Sequence, residues 1–345
     1  MSKEQTKQVG SRKQVKVSVC PGTLAKGFTT YSPLCIRHLF DNKEVSHVLP
    51  YDTPAKDEVV AEQFMENRKR ISISGVQEKL SIVLDKKTLR LTKPGEQGTY
   101  ILKPMPRDLK KVDQAPANEH LTMQIAKQVY GIRVAENAMI FFRDGSPAYV
   151  TKRFDVKPDG MKWGKEDLAT LAGKTKDNAG PDFKYEYNYE ELGLLFQKYV
   201  AAWKIEIEKY FLLVVFNFVF SNGDAHLKNF SLLENKSGDY LMSPAYDLIN
   251  TRLHVDDTDF ALSKKLFTDD YQSPAWKKSG HASAADFLEL GKRIGMLELR
   301  CIKLLAPFLK RQSGVESLVN RSFLDAPSKR AYLLHYNTKR NYLVG

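Results

Sequence analysis

The sequence predicts an α+β fold with two lobes, a β-rich N-terminal lobe followed by a mainly α-helical C-terminal lobe. The first observation behind this prediction is a series of short strand-like segments, separated by turn signals, that ends near residue 156. The second is the helical periodicity that dominates after about residue 166. The third is size, because 345 residues with 42% hydrophobic content can bury the core of one large domain or two smaller ones.

The N-terminal lobe is predicted over residues 63–165, after an irregular N-terminal extension or small subdomain at residues 1–62. Its five strand-like segments are KLSIVLD, TLRLT, TYILKP, NAMIFF and AYVTKRFDV. One helix lies among them, in the segment APANEHLTMQIAKQVYGI, with Pro116 near its start and Gly131 as its stop. Apolar residues recur in this segment at the spacing of one helix face, which supports the helix.

The C-terminal lobe is predicted over residues 166–345, where four segments have helical periodicity. They are YEELGLLFQKYV, WKIEIEKYFLLVVFNFVF, ASAADFLELGKRIG and LELRCIKLLAPFLKRQ. The second of these is apolar over most of its length, and it therefore predicts a buried helix that ends near Phe220.

The net charge of +12 permits binding to nucleotide phosphates or to an acidic partner, but the basic residues are scattered along the chain. No helix-turn-helix signature, zinc-finger spacing or RNA-binding sheet motif accompanies them, which argues against a nucleic-acid-binding module. No apolar run reaches the length of a membrane span, and the first residues lack the apolar region of a signal peptide, so we expect a cytoplasmic protein without membrane contact. The three cysteines are widely spaced, which argues against a disulfide framework.

The sequence FSNGDAHLKNFSLL, directly after the apolar helix, concentrates polar side chains where a helix end has no structural need of them. Phosphoryl transfer needs such groups, namely an Asp that accepts or orients the nucleophilic hydroxyl, and an Asn and a second Asp that hold Mg²⁺. Asp224 and Asn229 lie five residues apart, as this pair does in protein kinases. Asp247 ends a short strand-like segment 23 residues after Asp224, which fits a hairpin that returns to the same cleft. The ordered set predicts a phosphotransfer site.

Two residues of the N-terminal lobe fit the same chemistry. Lys103 closes a strand of aliphatic and β-branched residues, as the phosphate-binding lysine of kinases does, although taken alone this position favours a surface lysine at a strand end. Glu119 begins the helix of this lobe, where it can pair with Lys103 or complement the helix dipole. The upstream segment RISISGVQEKLSIV is too poor in glycine for the usual phosphate-binding loops.

Together these residues resemble the HipA family of serine/threonine kinases, the toxins of bacterial toxin–antitoxin modules. The resemblance spans about residues 70–250 and rests on separate motifs in the right order. The motifs are SISGVQEK (Ser72–Lys79), YILKP (Tyr100–Pro104), NEH (Asn118–His120), KRFD (Lys152–Asp155), KEDL (Lys165–Leu168), NGDAHLKNFS (Asn222–Ser231) and SPAYDL (Ser243–Leu248). The resemblance implies a two-lobed protein-kinase-like fold of the HipA type.

The resemblance also implies roles for individual residues. Asp224, Lys103 and His226 would be the catalytic residues, and Asn229 and Asp247 would bind the Mg²⁺ that accompanies ATP. The residues implied to lie near ATP are Ser74, Gly75, Val76, Lys79, Lys103, Glu166, Asp167, Leu168, His226 and Tyr246. Lys103 would contact the α- and β-phosphates, and the backbone of residues 166–168 would meet the adenine edge. Without the resemblance, His226 is equally a hydrogen-bonded spacer between polar neighbours.

The chain looks most like the short HipT form of this family, found in three-part HipB–HipS–HipT systems, because full-length HipA-like kinases carry a larger N-terminal subdomain. The resemblance therefore implies a HipB-like antitoxin and a small HipS-like protein as partners, with DNA reached only through the antitoxin. Ser72 and Ser74 resemble the HipT loop that carries two phosphorylatable serines, and we expect autophosphorylation there. The alternative is that these serines simply tolerate a tight turn.

The expected function is an ATP- and Mg²⁺-dependent serine/threonine protein kinase that acts as a toxin-like growth regulator. Its target would be a cellular protein, with an aminoacyl-tRNA synthetase as the class that the resemblance implies. Two alternatives stay open, a small-molecule phosphotransferase with a kinase-like fold and a nucleotide-binding regulator without catalysis. A metal hydrolase is disfavoured, because the chain lacks an H-E-x-x-H motif and Cys20, Cys35 and His38 have unusual spacing for zinc.

Overall fold

The structure is a computed structural model, and it describes residues 15–53, 78–106 and 110–345. The strands are β1 (Leu80–Asp85), β2 (Thr88–Leu91), β3 (Tyr100–Lys103), β4 (Asn137–Phe141), β5 (Pro147–Lys152), β6 (Lys165–Asp167), β7 (Ser231–Glu234) and β8 (Tyr240–Met242). The helices of the described part are α1 (Pro33–Leu39), α2 (Ala115–Gln128), α3 (Leu168–Leu171), α4 (Lys176–Ala179), α5 (Tyr189–Tyr199), α6 (Trp203–Val219), α7 (Pro274–Ser279), α8 (Ala284–Arg293), α9 (Glu298–Leu309), α10 (Ser313–Arg321) and α11 (Ala326–Val344). The predicted α+β fold is confirmed.

The five strand-like segments predicted for the N-terminal lobe form one antiparallel sheet, in the order β2-β1-β3-β5-β4. β3 lies at the centre of this sheet, because it pairs with β1 on one side and with β5 on the other. The register places Lys103, the last residue of β3, opposite Tyr149 of β5. Two flanking strands hold the backbone of β3, and Lys103 is therefore presented from a fixed position.

Residues 15–53, which the sequence presents as irregular, cover one face of this sheet. Cys35, Leu39 and Phe40 belong to the same hydrophobic cluster as Leu102 of β3 and Val150 of β5. α1 begins after the Ser32 N-cap, whose hydroxyl accepts the backbone N–H of Cys35, and Pro33 occupies its first turn. With only 7 residues, this helix is too short for hydrophobic periodicity to reveal it.

The one helix predicted for the N-terminal lobe is confirmed as α2, which lies between the five-stranded sheet and the helical part of the chain. All residues from Ala115 to Ala126 are buried. α2 contacts β4 and β5, and the Thr122 hydroxyl forms a 2.9 Å hydrogen bond with the Tyr332 hydroxyl of α11. One hydrophobic core continues from α2 into the helical part, and the lobe boundaries after residues 62 and 165 stay a prediction.

The four helices predicted for the C-terminal lobe are confirmed as α5, α6, α8 and α9. α6 is buried along most of its length, as its apolar sequence predicts. α10 and α11 lie beyond the predicted segments. The buried positions of α11 recur at helical spacing but include Ser328 and Lys339, so the sequence has no clear apolar stripe there. A second antiparallel sheet, in the order β6-β7-β8, lies beside α6.

His120 of α2 makes the stability of the fold dependent on pH. Its Nε2 lies 3.0 Å from the carbonyl oxygen of Gly22, and burial lowers the pKa of this histidine from 6.5 to about 4. In the unfolded chain this histidine is protonated below pH 6.5, whereas in the folded chain it is protonated only below about pH 4. Protonation therefore favours the unfolded state, and the free energy of unfolding falls as the pH drops through this window. The loss is expected to be on the order of 3 kcal/mol.

The measurement for this prediction is the free energy of unfolding in denaturant at several pH values, for the wild type and for His120→Gln. The Gln side chain retains a donor for the Gly22 carbonyl but does not titrate. The wild type should lose stability relative to this variant between pH 6.5 and 4. Parallel curves for the two proteins would show that His120 does not carry the effect.

Candidate active site

A cleft of about 730 Å³ lies where the N-terminal sheet, α2 and the helical part meet. Its walls combine the end of β3, the start of α2, the loop after α6 and the loop after β8. The lining side chains are Lys79, Lys103, Glu119, Lys165, Asp167, Lys184, Tyr185, Gly223, Asp224, His226, Lys228, Asn229, Tyr246, Asp247, Ile249, Thr251, His254, Val255, Asp257, Thr258 and Ala261. Both charge signs and several hydrogen-bonding groups therefore face one cavity.

The loop after α6, residues 221–229, is held by contacts to its own helix and to the loop after β8. Ser221 adopts a left-handed conformation with φ 53°, which turns the chain out of the helix. The Asn222 side chain donates to Asn217 Oδ1 at 2.9 Å, and the N–H of Gly223 donates to the Thr251 hydroxyl at 2.9 Å. These bonds fix the 221–229 loop at the end of a buried helix.

Asp224 and Asn229, which the sequence predicts to act together, both line the cleft. Asn229 ends a short 3-10 helix (Leu227–Asn229), and its Oδ1 accepts the backbone N–H of His226 at 3.0 Å. Asp224 Oδ1 accepts a hydrogen bond from the Tyr185 hydroxyl at 2.6 Å. The spacing of five residues thus brings both side chains to one cavity.

His226 is a neutral group in this site. Burial lowers its pKa to about 4, so the ring is uncharged near neutral pH. Its Nδ1 is buried and has no hydrogen-bond partner in the described part of the chain. An imidazole that is neutral and unpartnered on one nitrogen is suited to a hydrogen bond with a ligand.

Lys103 lies at the centre of a buried cluster of charges. Its Nζ donates to Glu119 Oε1 at 2.5 Å and also to Asp247 Oδ1. Lys79 donates to the other carboxylate oxygen of Asp247 at 3.0 Å. Lys103 and Glu119 are 3% and 2% exposed, so this pair is deep in the protein, and the alternative of a surface lysine at position 103 is wrong.

The ionisation of this cluster follows from burial and mutual attraction. Burial alone would raise the pKa of Asp247, but the charges of Lys103 and Lys79 and their hydrogen bonds hold it well below its usual range. Burial alone would lower the pKa of Lys103, whereas Asp247 and Glu119 raise it above its usual value. Asp247 is therefore a carboxylate and Lys103 an ammonium across the pH range of a cell.

Asp247 lies in a loop, and the prediction that it ends a strand-like segment is wrong in this detail. β8 ends at Met242, and Asp247 itself adopts a left-handed conformation with φ 56°. The predicted hairpin is confirmed, because β7 and β8 pair in antiparallel orientation. The Tyr246 hydroxyl donates to the carbonyl of Lys228 at 2.8 Å, and it thereby ties this loop to the 221–229 loop.

The remaining predicted residues have different positions. Asp167 lines the cleft and caps α3 through the N–H of Thr170. Glu166 is exposed and is not among the cleft-lining residues, and the N–H of Leu168 is donated to the Phe230 carbonyl at 2.9 Å. Ser72, Ser74, Gly75 and Val76 lie outside the described residues.

Several cleft residues were not predicted from the sequence. They are Tyr185, Asp257, Lys165, Lys184 and Lys228. Lys165 belongs to the motif KEDL and Lys228 to the motif NGDAHLKNFS, but neither had an assigned role. Tyr185 and Asp257 reach the cleft through tertiary contacts without a local signal. The carboxylate of Asp257 lies so close to Gly223 that a Cβ there would meet it at 2.4 Å, which explains the glycine before Asp224.

Residues 71–311 match the family model of the HipA-like C-terminal domain. The chain belongs to this family. A protein of Haemophilus influenzae named "Putative kinase" is 25% identical over 90% of this chain and 91% of its own length. The "Putative kinase Y4dM" of Sinorhizobium fredii is 32% identical over 62% of this chain, and the match spans 54% of that protein.

Two solved structures have the same fold as this member of the HipA family. HipA of Shewanella oneidensis, from a toxin–antitoxin complex with HipB and operator DNA, superposes with a TM-score of 0.59 at 20% identity, over 78% of this chain and 63% of HipA. The Helicobacter pylori proinflammatory kinase CtkA superposes with a TM-score of 0.51 at 13% identity, over 79% of this chain and 94% of CtkA. The predicted HipA-type fold is confirmed. In the described ranges, no helix has the length and apolar character to cross a membrane.

Proposed function

We propose that this protein is an ATP- and Mg²⁺-dependent serine/threonine protein kinase that acts as a toxin-like growth regulator. The observation that carries the proposal is the convergence of Asp224, Asn229 and Asp247 with the buried Lys103–Glu119 pair in one cleft. The names of the relatives from Haemophilus influenzae and Sinorhizobium fredii agree with kinase activity. The family membership adds the toxin–antitoxin context.

Each of the following cleft residues has a separate role in the proposed phosphoryl transfer. Asp224 accepts the proton of the acceptor hydroxyl, and the ammonium groups of Lys103 and Lys79 bind phosphate oxygens. Both lysines are paired with Asp247, and an entering polyanion competes with this carboxylate for them. His226 offers its neutral ring to the nucleotide, and Tyr246 lines the same cleft.

The donor set also fits Mg²⁺ bound together with ATP. Asp247 supplies a carboxylate and Asn229 an amide oxygen, and Mg²⁺ in nucleotide sites takes one or two carboxylates and completes its shell with phosphates and water. No cluster of three or more His, Cys, Asp or Glu side chains suited to a metal occurs within the described ranges. When bound, the ion would neutralise phosphate charge, and Asp247 and Asn229 would hold it.

The partners follow from the family context. HipA of Shewanella oneidensis was solved with HipB and operator DNA, and we propose a HipB-like antitoxin that carries the DNA contact for this chain also. A small HipS-like protein, a cytoplasmic location and an aminoacyl-tRNA synthetase as the acceptor belong to the same proposal. Co-purification of the tagged protein with products of its neighbouring genes tests the first two partners.

The deciding experiment is incubation of the purified protein with γ-labelled ATP and Mg²⁺, with and without candidate protein acceptors. Label on a serine or threonine of this chain or of an added protein supports the proposal. Label only on an added small molecule favours a small-molecule phosphotransferase. Nucleotide binding without transfer to any acceptor overturns catalysis and leaves a nucleotide-binding regulator.

Autophosphorylation on Ser72 or Ser74 is part of the proposal and is expected to inhibit the enzyme. If the loop before Lys79 covers the ATP phosphates, as the resemblance implies, a phosphate there adds about −1.5 to −2 charge beside another polyanion. Repulsion at close range should then weaken ATP binding. Peptide mass spectrometry after ATP incubation locates the phosphate, and calorimetry compares the ATP affinity of Ser72→Asp and Ser74→Asp with Ser72→Ala and Ser74→Ala. Acidic variants that bind ATP as tightly as the alanine variants would disprove the inhibition.

A further inference from the structure

Residues 184–189, which end in the first residue of α5, contact four consecutive residues of the 221–229 loop. The contacts are the Tyr185 hydroxyl to Asp224 Oδ1 at 2.6 Å, the Tyr189 hydroxyl to the Ala225 carbonyl at 2.8 Å, the Tyr185 ring to the His226 ring with centroids 5.3 Å apart, and the Leu227 N–H to the Lys184 carbonyl at 3.1 Å. Three of these contacts reach backbone or a ring. Of these four contacts, only the one from the Tyr185 hydroxyl reaches the carboxylate of Asp224.

The backbone of Tyr185 is held by hydrogen bonds to other residues. Its N–H donates to the Asp182 carbonyl at 2.8 Å, and its carbonyl accepts the N–H of Ser263 at 2.9 Å. The ring meets the His226 ring at an interplanar angle of 71°, an edge-on contact. Burial and the charge of Asp224 raise the pKa of Tyr185 above its usual value, so the hydroxyl stays a hydrogen-bond donor.

The hydrogen bond from Tyr185 makes the two carboxylate oxygens of Asp224 different. Oδ1 accepts the Tyr185 hydroxyl, whereas Oδ2 has no hydrogen bond to any side chain or backbone group in the described part of the chain. Asp224 is exposed to the cleft, so Oδ2 is accessible to an incoming hydroxyl. With Oδ1 held, the carboxylate cannot rotate freely about its terminal bond, and Oδ2 keeps one orientation.

We infer that Tyr185 is a positioning residue for Asp224, which it orients so that Oδ2 accepts the proton of the acceptor hydroxyl. The inference rests on the proposed kinase function. It adds a residue to the set of Asp224, Asn229 and Asp247 that the sequence predicts. Removal of the hydroxyl should leave nucleotide binding intact, because Tyr185 does not touch Lys79, Lys103 or Asp247. It should lower the rate of transfer, because misorientation of a catalytic group by about 1 Å costs about 100-fold.

The test is Tyr185→Phe, compared with the wild type in steady-state phosphoryl transfer to a protein acceptor. We expect kcat to fall about 10- to 100-fold with an unchanged KM for ATP and an unchanged Tm. Tyr187→Phe is the matched control, because Tyr187 lies in the same segment and, among the described residues, forms no hydrogen bond or ring contact with the 221–229 loop. In an Asp224→Asn background, Tyr185→Phe should have no further effect, because the two residues act as one unit.

Each other result decides against the inference. A higher kcat in Tyr185→Phe would show that the hydroxyl obstructs the acceptor, and an unchanged kcat would show that Asp224 needs no support from it. A parallel rise in KM for ATP and loss of Tm would assign Tyr185 a merely structural role. If Asp224→Asn transfers phosphate at the wild-type rate, Asp224 has no part in the chemistry and this inference fails with it. The proposed function fails only if the wild type transfers phosphate to no acceptor, whereas normal activity in Tyr185→Phe alone refutes only this inference.

Discussion

Asp224→Asn is expected to lower the rate of phosphoryl transfer by about four orders of magnitude, as substitutions within a catalytic unit do. The amide has nearly the shape of the carboxylate but cannot accept the proton of the acceptor hydroxyl. The fold should persist, because Asp224 is exposed to the cleft and does not support the core. The affinity for Mg·ATP should change little, since Lys79, Lys103 and Asp247 are unaltered.

The measurements are the initial rate of label transfer from ATP and the thermal midpoint of unfolding for the same preparations. Asp239→Asn is the matched control, because Asp239 lies in the exposed turn between β7 and β8, away from the cleft. Both variants should unfold at the wild-type temperature, and only Asp224→Asn should lose activity. Near-normal transfer by Asp224→Asn would remove the residue from the chemistry.

The site residues that could be predicted from the sequence are those that lie close together along the chain. The 221–229 loop and Asp247 flank one hairpin that follows a buried helix, so the chain itself keeps Asp224, Asn229 and Asp247 close together. Lys103 ends a strand of aliphatic residues, but this position alone favoured a surface lysine, and only the resemblance to HipA-like kinases assigned it a phosphate contact. Its partner Glu119 lies on a helix, and only the packing of α2 on the sheet shows that the two meet.

The unpredicted part depends on contacts between distant segments. Tyr185 precedes Asp224 by 39 residues and belongs to a turn-rich segment without periodicity. Asp257 is placed by its approach to Gly223, a steric contact that has no sequence pattern. The N-terminal residues 15–53 were irregular in sequence because they cover the sheet with turns and one short helix. In each case the information lies in the tertiary structure.

Lys103→Met is expected to destabilise the fold by about 3–5 kcal/mol, the usual cost of leaving a buried charge without its partner. The partner is Glu119, which is 2% exposed and has Lys103 Nζ at 2.5 Å. Asp247 retains Lys79, so the largest effect falls on Glu119. Phosphoryl transfer should be lost at the same time, because the ammonium group that binds phosphate is gone. The measurements are the free energy of unfolding in denaturant and the calorimetric affinity for ATP.

The double variant Lys103→Met with Glu119→Leu separates the two roles of this lysine. Replacement of both members of a buried ion pair by apolar residues of similar volume is often neutral, so most of the lost stability should return. ATP affinity and transfer should not return, because neither new side chain binds phosphate. A double variant that regains ATP affinity would show that Lys103 supports only the fold. A stable Lys103→Met single variant would show that the buried pair carries little of the stability of α2 on the sheet.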